Sequence, residues 1–509
     1  MGSSCTVNIL EIAQIKPSLE SPNFTIEFSL PLTFFDSFWF TYPPVEGLLF
    51  YNLNDLTPAD FSSEILPKLK QSLSLTLRHY LPLAGSLKWP SDAPRPFILY
   101  APDDGVSVIV AESDADFHRL SSNGIYEAVE LHPLIPHLRS SDDSASILAI
   151  QITFFPSQGF SIGITAHHTV LEGKTTSMFM KSWAYLCRLG NKENPGLPLE
   201  LIPSFDREII KDPTGLDLDI LYLNQRLICS SGNKSLKVPT NKRATPNLVR
   251  ATVTLSQEDF KKMREKVPSK SPDSSKTPHL SDFALTLGYV ASSIVKARGG
   301  AGDRSVCLGF TADCRHRLDP PVPETYFGNC NVILADISKA RGYMDFENGF
   351  AFGAVKVSNM VKGLKEKGVF EGAKDRLTPL FKIAKEPPGS VQKLIVAGSP
   401  RFDLYKTDFG WGRPWKVVLV SIDKNEAISM AESRDGNRGI EVGLALKKPE
   451  MDGFSPCFSK MFNKIVKRFF SMFLKMFVKS VRSILDHYIW KILNYDIFYG
   501  SASWAQIIY

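Results

Sequence analysis

The densest chemistry in the chain lies in seven residues, His167-His168-Thr169-Val170-Leu171-Glu172-Gly173. A histidine pair ends an apolar run, and a carboxylate and a glycine follow. A histidine at the end of a buried strand can offer one ring nitrogen to a substrate while its surroundings aim the ring, as a general base requires. Neighbours in extended backbone point to opposite sides, so only one of the pair can face a given cavity. The competing reading makes both histidines structural.

Two further segments stand out. Asp408-Phe409-Gly410-Trp411-Gly412-Arg413-Pro414 combines glycines for tight backbone, aromatics that fill space, and a carboxylate able to bond nearby backbone. These residues suit a rigid loop and supply no proton chemistry. Asp313-Cys314-Arg315-His316-Arg317-Leu318 sets two arginines on alternate positions. One could pair a buried carboxylate and the other face solvent or a phosphate. Tyr326-Phe327-Gly328-Asn329-Cys330 follows, with glycine and asparagine suited to a turn.

The surrounding pattern predicts the elements that position these groups. Residues 64–80 carry leucines near helical spacing and stop at Pro82-Leu83-Ala84-Gly85. Val106–Val110 alternates as a half-buried strand. Leu148–Phe155 and Phe160–Thr165 are strands around a Pro156-Ser157-Gln158-Gly159 turn, and Lys174–Arg188 is a helix. The histidines therefore occupy a strand-to-helix connection. Residues 206–248, rich in Pro, Asn, Lys and Ser, read as a crossover linker. Beyond the polar loop 268–278, His279–Lys296 reads as helix, and Val306–Phe310, Val417–Ile422 and Gly439–Leu446 as strands of a second α/β domain. The expected organisation is a domain over 1–205, the linker 206–248, a domain over 249–457 and an extension over 458–509.

At 509 residues the chain exceeds one ordinary core, and its 43% hydrophobic and 22% charged content is that of a folded globular protein. A net charge of +6 is mild and suits an anionic small molecule; no basic-aromatic nucleic-acid signature accompanies it. The cysteines at 5, 187, 229, 307, 314, 330 and 457 form no CxxC pair, which reads as reduced thiols in the cytoplasm, without a disulfide framework or zinc. Met1-Gly2-Ser3-Ser4-Cys5-Thr6 fits the loose myristoylation pattern against an ordinary frayed terminus. No secretory signal and no membrane-spanning apolar run are expected.

Taken together, His168-x-x-x-Glu172-Gly173, the Asp408–Gly412 loop and Tyr326–Cys330 resemble the plant BAHD acyltransferases. Leu81–Gly85, Asp206-Arg207 and Asp313–Pro321 support the match, which runs from about residue 5 to 455. The Tyr326–Cys330 motif is similar to that of the branch transferring malonyl or other short aliphatic acyl groups to flavonoid, anthocyanin and phenolic glucosides. The resemblance implies a monomer with two similar-sized domains of mixed sheet flanked by helices, like chloramphenicol acetyltransferase, and a channel between them. Acyl-CoA, with malonyl-CoA expected, would be a co-substrate and no metal or resident cofactor would be needed. His168 would sit mid-channel as general base, while Glu172, Gly173, Asp408, Gly410, Trp411 and Gly412 would support the motif. A malonyl carboxylate needs a cation, for which Lys174, Arg315 and Arg317 are candidates.

Two departures matter. The family has aspartate where this chain has Glu172, a carboxylate that pairs with an arginine there. The longer side chain either keeps the bridge or misaims His168, with reduced activity expected. Ala291 replaces a frequent tryptophan, which suggests a looser pocket or packing fault. These departures leave open a second class, a catalytically impaired homologue that binds CoA esters or a partner. A condensation-type domain shares the histidine motif but would call for a carrier-protein partner. Residues 459–491 carry a basic stripe (Lys460, Lys464, Lys467, Arg468, Lys475, Lys479, Arg482) against apolar residues. That pattern suits an anionic membrane or a partner groove, the enzyme's own surface, or sequence of no function.

Overall fold

Two largely apolar runs, Leu148–Phe155 and Gly159–Ala166, are buried along their whole length. Such runs belong at the centre of a sheet covered on both faces. They pair antiparallel, with Ile150 opposite Ile164 and Ile152 opposite Ile162. The turn between them places Ser157 and Gly159 at positive φ (59° and 140°). A computed structural model of the chain describes residues 6–18, 27–190, 196–229, 233–238, 247–267, 280–387, 389–424 and 427–459.

Among these residues the strands form three sheets. The first has the spatial order Val7–Ile15, Val106–Ser113, Leu148–Phe155, Gly159–Ala166, Val45–Asn52, Lys416–Leu419. The second runs Asn331–Lys339, Ser305–Asp313, Val391–Ala397, Ile428–Glu432, Ile440–Lys447, Leu248–Leu255, Tyr126–Glu127. A small antiparallel sheet joins Phe28–Pro31, Phe97–Tyr100, Ser86–Lys88 and Ser144–Ser146. Both large sheets mix parallel and antiparallel pairs.

The halves of the chain exchange strands. Lys416–Leu419, expected as part of a strand of the second half, lies at the edge of the first sheet against Val45–Asn52, and Val420–Lys424 then turns as 3-10 helix. Val418 and Val420 pack with Leu48, Phe50 and Phe117. In return Tyr126–Glu127 pairs with Leu248–Leu255 of the second sheet. Alternating apolar residues announce a strand but not the sheet that accepts it.

The expected helices form, with shifted ends. Leu66–His79 packs Leu69, Leu73 and Leu77 into one core with Phe179 and Trp183 of Gly173–Leu189. Asp282–Arg298 starts at an N-cap, where Ser281 Oγ accepts from the Ala284 N–H. The supposed linker holds a helix, Leu218–Cys229, whose Tyr222 hydroxyl donates to the Ala373 carbonyl. Its apolar residues pack with Phe34, Phe35 and Phe38, so this stretch is built into a core and is not a bare connection. Ala291 is fully buried between Leu287 and Ile294 in a packed helix, away from any cavity lining, so it marks neither a loose pocket nor a fault there. The basic stripe from 460 onward lies outside the described residues. No helix of the described residues is long and apolar enough to cross a membrane.

Asp282–Arg298 touches Gly349–Lys367 along glycines. A Cβ on Gly288 would stand 2.4 Å from both the Ala354 nitrogen and the Phe350 oxygen. We expect Gly288→Val to force these helices apart and cost about 1–3 kcal/mol or more, read as a lowered midpoint of chemical unfolding.

Candidate active site

The His strand ends at Ala166, and the His167 N–H donates to the Ile147 carbonyl (2.8 Å). The chain then coils tightly, with the Val170 and Leu171 N–H groups donating to the His167 carbonyl at 2.9 and 3.0 Å. Gly173 opens the following helix beneath the Phe402 ring; a Cβ there would lie 2.4 Å from Phe402 Cε2. A larger residue there would have to displace the Phe402 ring, whereas φ places no demand for glycine.

This turn brings His168 to a cavity of about 1040 Å³ between the two large sheets. One wall is the face of the second sheet carrying Cys307, Thr311, Ile395 and Ser429. The other comes from Leu49, Ile164 and Val417 of the first sheet and Thr176 and Met180 of the motif helix. His167 faces elsewhere, into a smaller pocket beside Leu236 and Val238. The pair therefore divides as alternation requires.

The imidazole of His168 is stacked on Trp39, centroids 4.2 Å apart and planes within 8°. Trp39 Nε1 donates to Asn331 Oδ1 at 3.0 Å. The Asn331 amide donates to Glu172 Oε2, and Glu172 Oε1 lies 2.6 Å from Arg315 Nη1. Arg315 is fully buried and also meets Asp313 (3.2 Å) and the carbonyls of Tyr326 and Gly328, each at 3.3 Å. Asn329 closes the clamp: its amide donates to the carbonyls of His168 and Thr169, both at 3.1 Å, and to Asp36 Oδ1 at 3.0 Å. Arg207 lies 3.6 Å from Asp36 and donates to the Phe327 carbonyl at 2.8 Å.

Burial pushes the His168 imidazole down to about 4; a bond to its own backbone opposes this, and the charge of Arg226 adds to it. Burial, with His168 alongside, lowers His167 to about 4 as well. Both rings are neutral at physiological pH. Burial also works against the Arg315 charge, but Glu172 and Asp313 outweigh it and hold the guanidinium protonated. Among the described residues no group of three or more His, Cys, Asp or Glu is placed to hold a metal.

A family model described as the Transferase family matches residues 5–461. The chain is 44% identical over 459 residues to malonyl-CoA:anthocyanidin 5-O-glucoside-6''-O-malonyltransferase of Arabidopsis thaliana, covering 89% of this chain and 98% of that one. It is also 44% identical to phenolic glucoside malonyltransferase 1 of the same plant, covering 88% and 96%. The chain belongs to the Transferase family, the BAHD acyltransferases. Its fold matches that of vinorine synthase, with a TM-score of 0.61 at 20% identity, covering 88% and 96% of the two chains.

In this acyltransferase the longer Glu172 reaches both Arg315 and Asn331, so the extra methylene leaves the arginine bridge in place and His168 stacked. The proposed donor-binding cations need correction. Lys174 is bound by Asp313 (3.1 Å) and Glu324, Arg315 is enclosed among its partners, and exposed Arg317 donates to the Asp313 carbonyl. None of the three lines the cavity. A charged residue beside a motif is as readily consumed by a neighbouring acid as offered to a ligand, and only the fold tells which.

The Asp408–Gly412 loop also stands off the cavity. Asp408 Oδ1 accepts from the N–H groups of Gly410 (2.8 Å) and Gly412 (3.0 Å), with both glycines at positive φ. Phe409 sits edge-on to Trp183 and Tyr51, and Trp411 edge-on to Phe160. The loop braces the motif helix and the His strand from behind. Trp39, Asp36, Asn329 and Asn331 were not foreseen in these positions. The Thr33-x-x-Asp36 spacing, a capping box in the fold, was the one signal available for Asp36.

Removing Glu172 leaves a buried guanidinium short of an acid. We expect Glu172→Ala to cost about 3 kcal/mol in chemical denaturation and Glu172→Asp, which keeps one contact, about 1 kcal/mol. For pH, the neutral histidines favour the fold above the unfolded value of 6.5, and that stability is lost as pH falls from there through about 4. The acid limb of kcat/KM is accordingly expected below 6.5; a midpoint at or above 6.5 would contradict the enclosure of His168.

Proposed function

We propose that the chain transfers a malonyl group from malonyl-CoA to a hydroxyl of a phenolic or flavonoid glucoside, with His168 as general base in a ternary complex. The observation that carries this reading is the placement of a neutral, stacked imidazole on the wall of a cavity large enough for two substrates. The two malonyltransferases that resemble the chain over most of its length support the choice of donor and acceptor.

The chemistry follows from the geometry. His168 takes the proton of the acceptor hydroxyl as its oxygen bonds to the thioester carbonyl carbon. The tetrahedral adduct collapses, the carbon–sulfur bond breaks, and the CoA thiolate takes the proton back from the imidazolium. Holding both substrates against each other removes the entropic cost of their encounter, worth up to about 7–11 kcal/mol. Along the second sheet, about 20–30 Å from the Asn331 level at 3.3 Å per residue, Arg304, Lys393 and Lys447 line the same cavity. Cations there suit the phosphates of CoA. The free cysteines at 187, 307, 314, 330 and 457 accord with a reducing cytoplasm, where the reading places the protein as a monomer.

A matrix of acyl-CoA donors against phenolic glucosides, flavonoid glucosides and amines, read by mass, tests this. The expected product is a glucoside heavier by one malonyl unit. His168→Ala is expected to lower kcat by about 10²–10⁴-fold while thermal unfolding stays near wild type. Undiminished turnover in that variant would remove His168 from the mechanism.

A further inference from the structure

Four arginines are buried among the described residues: Arg207, Arg226, Arg250 and Arg315. Three of them meet an acid, Asp36, Asp423 and Glu172 respectively. Arg226 is the exception. It projects from the helix Leu218–Cys229, is 7% exposed, and has no carboxylate partner among the described residues. Its Nε donates to the Phe38 carbonyl at 2.8 Å. Its Nη2 is enclosed and meets no acceptor. Three ring faces lie near it, with Cζ 4.3 Å from the centre of Tyr42, 5.2 Å from Phe38 and 5.8 Å from Phe381.

Aromatic faces recover only part of what a guanidinium loses on leaving water. An enclosed donor without an acceptor adds to the deficit. An anion reaching this guanidinium would therefore find an unused donor and no competing carboxylate among the described residues.

Its position supplies the candidate. Tyr42 lines the reaction cavity, with its ring centre 5.9 Å from that of His168; Arg226 is not itself in the lining and lies against the Tyr42 ring. Since Arg226 Cζ is 4.3 Å from the same Tyr42 centre, the guanidinium is no more than about 10 Å from the base. A malonyl thioester being attacked beside His168 spans that interval. Hydroxyl and carbonyl carbon each take a contact of about 3 Å, and the carboxylate carbon is two bonds farther on. The other cations are excluded by place or partner: Lys174 and Arg315 are held by acids, Lys424 is paired with Glu46 and Arg298 with Glu450, and Arg304, Lys393 and Lys447 sit toward the far edge of the sheet.

We propose that Arg226 determines donor specificity by receiving the terminal carboxylate of the malonyl group, the Tyr42 ring turning off the guanidinium as the acyl chain docks. The inference rests on the malonyl reading above and names the residue that enforces it. It has a second consequence. The Arg226 charge disfavours protonation of His168, and a bound carboxylate cancels that charge. A donor carrying the acid therefore makes the base more effective as well as binding more tightly, whereas an acetyl donor does neither.

The test compares malonyl-CoA with acetyl-CoA, which lacks only the carboxylate, in the full chain and in Arg226→Gln and Arg226→Lys. The wild type is expected to prefer malonyl-CoA. In Arg226→Gln the ratio of kcat/KM for malonyl over acetyl is expected to fall about 100-fold. In Arg226→Lys, which keeps charge but loses the fork, the expected fall is about tenfold. Should the glutamine variant fail to fold, the lysine variant carries the comparison alone. If both donors lose equally, or the ratio does not move, Arg226 is a packing residue and the inference is overturned while the malonyl reading stands. A wild type with no malonyl preference overturns both.

Discussion

The buried guanidinium of Arg315 is the constraint on which the site depends. It is a fully buried charge, and four oxygen groups converge on it: Glu172, Asp313 and the carbonyls of Tyr326 and Gly328. Those groups come from three separate stretches of chain. The end of a strand of the second sheet, the Tyr326–Cys330 segment and the N-cap of the motif helix must therefore meet in one arrangement. Such a cluster adds little net stability over an apolar equivalent, but a missing partner is expensive. Its use here is to fix register between the halves at the point where the catalytic turn is built. Asn329 and Asn331 then transmit that register. One holds the backbone of His168, and the other ties Glu172 to the indole against which the imidazole lies.

The exchange of strands does the same at larger scale. With Lys416–Leu419 in the first sheet and Tyr126–Glu127 in the second, neither half can be withdrawn without breaking a ladder in the other. The facing sheet surfaces are held apart at a fixed spacing, and the cavity is the gap that results. The Asp408–Gly412 loop belongs to this scheme. It precedes the transferred strand, and its self-bonded turn and wedged aromatics set where that strand begins. A loop of this kind can be indispensable to catalysis without touching a substrate.

What the sequence disclosed and what it hid follow one division. Periodicity is local, so the strands Leu148–Phe155 and Gly159–Ala166 and the helix Gly173–Leu189 were legible, and with them the strand-to-helix site of His168. Pairing is not local. The strand near Val417 was recognised and set in the wrong sheet. The helix Leu218–Cys229 was passed over because polar residues and breakers on either side masked its apolar spacing. Lys174 was offered to a ligand because nothing near it in the chain reveals Glu324 as a neighbour in space, and Arg315 because the expected bridge from residue 172 to an arginine did not say which arginine. Trp39 lies 129 residues before the ring it stacks on, in a segment that carries no titratable pattern of its own.

On the proposed mechanism, the enclosure that lowers the basicity of His168 is reconciled with a role as base by the time for which the charge exists. The imidazolium is needed only between proton removal from the hydroxyl and proton return to the departing sulfur. A ring that is neutral beforehand is free of a proton when the hydroxyl arrives, while its lowered basicity weakens the pull on that proton unless the bound complex offsets it. Trp39 sharpens this. Against a neutral imidazole its parallel face contributes ordinary stacking. Against an imidazolium the same face contributes a cation–π attraction, worth about 0.5–2 kcal/mol when desolvated. The interaction therefore strengthens as charge develops, which is the property that separates help for the transition state from mere binding. The chain Trp39–Asn331–Glu172–Arg315 thus orients the proposed base with its near end and anchors the fold with its far end.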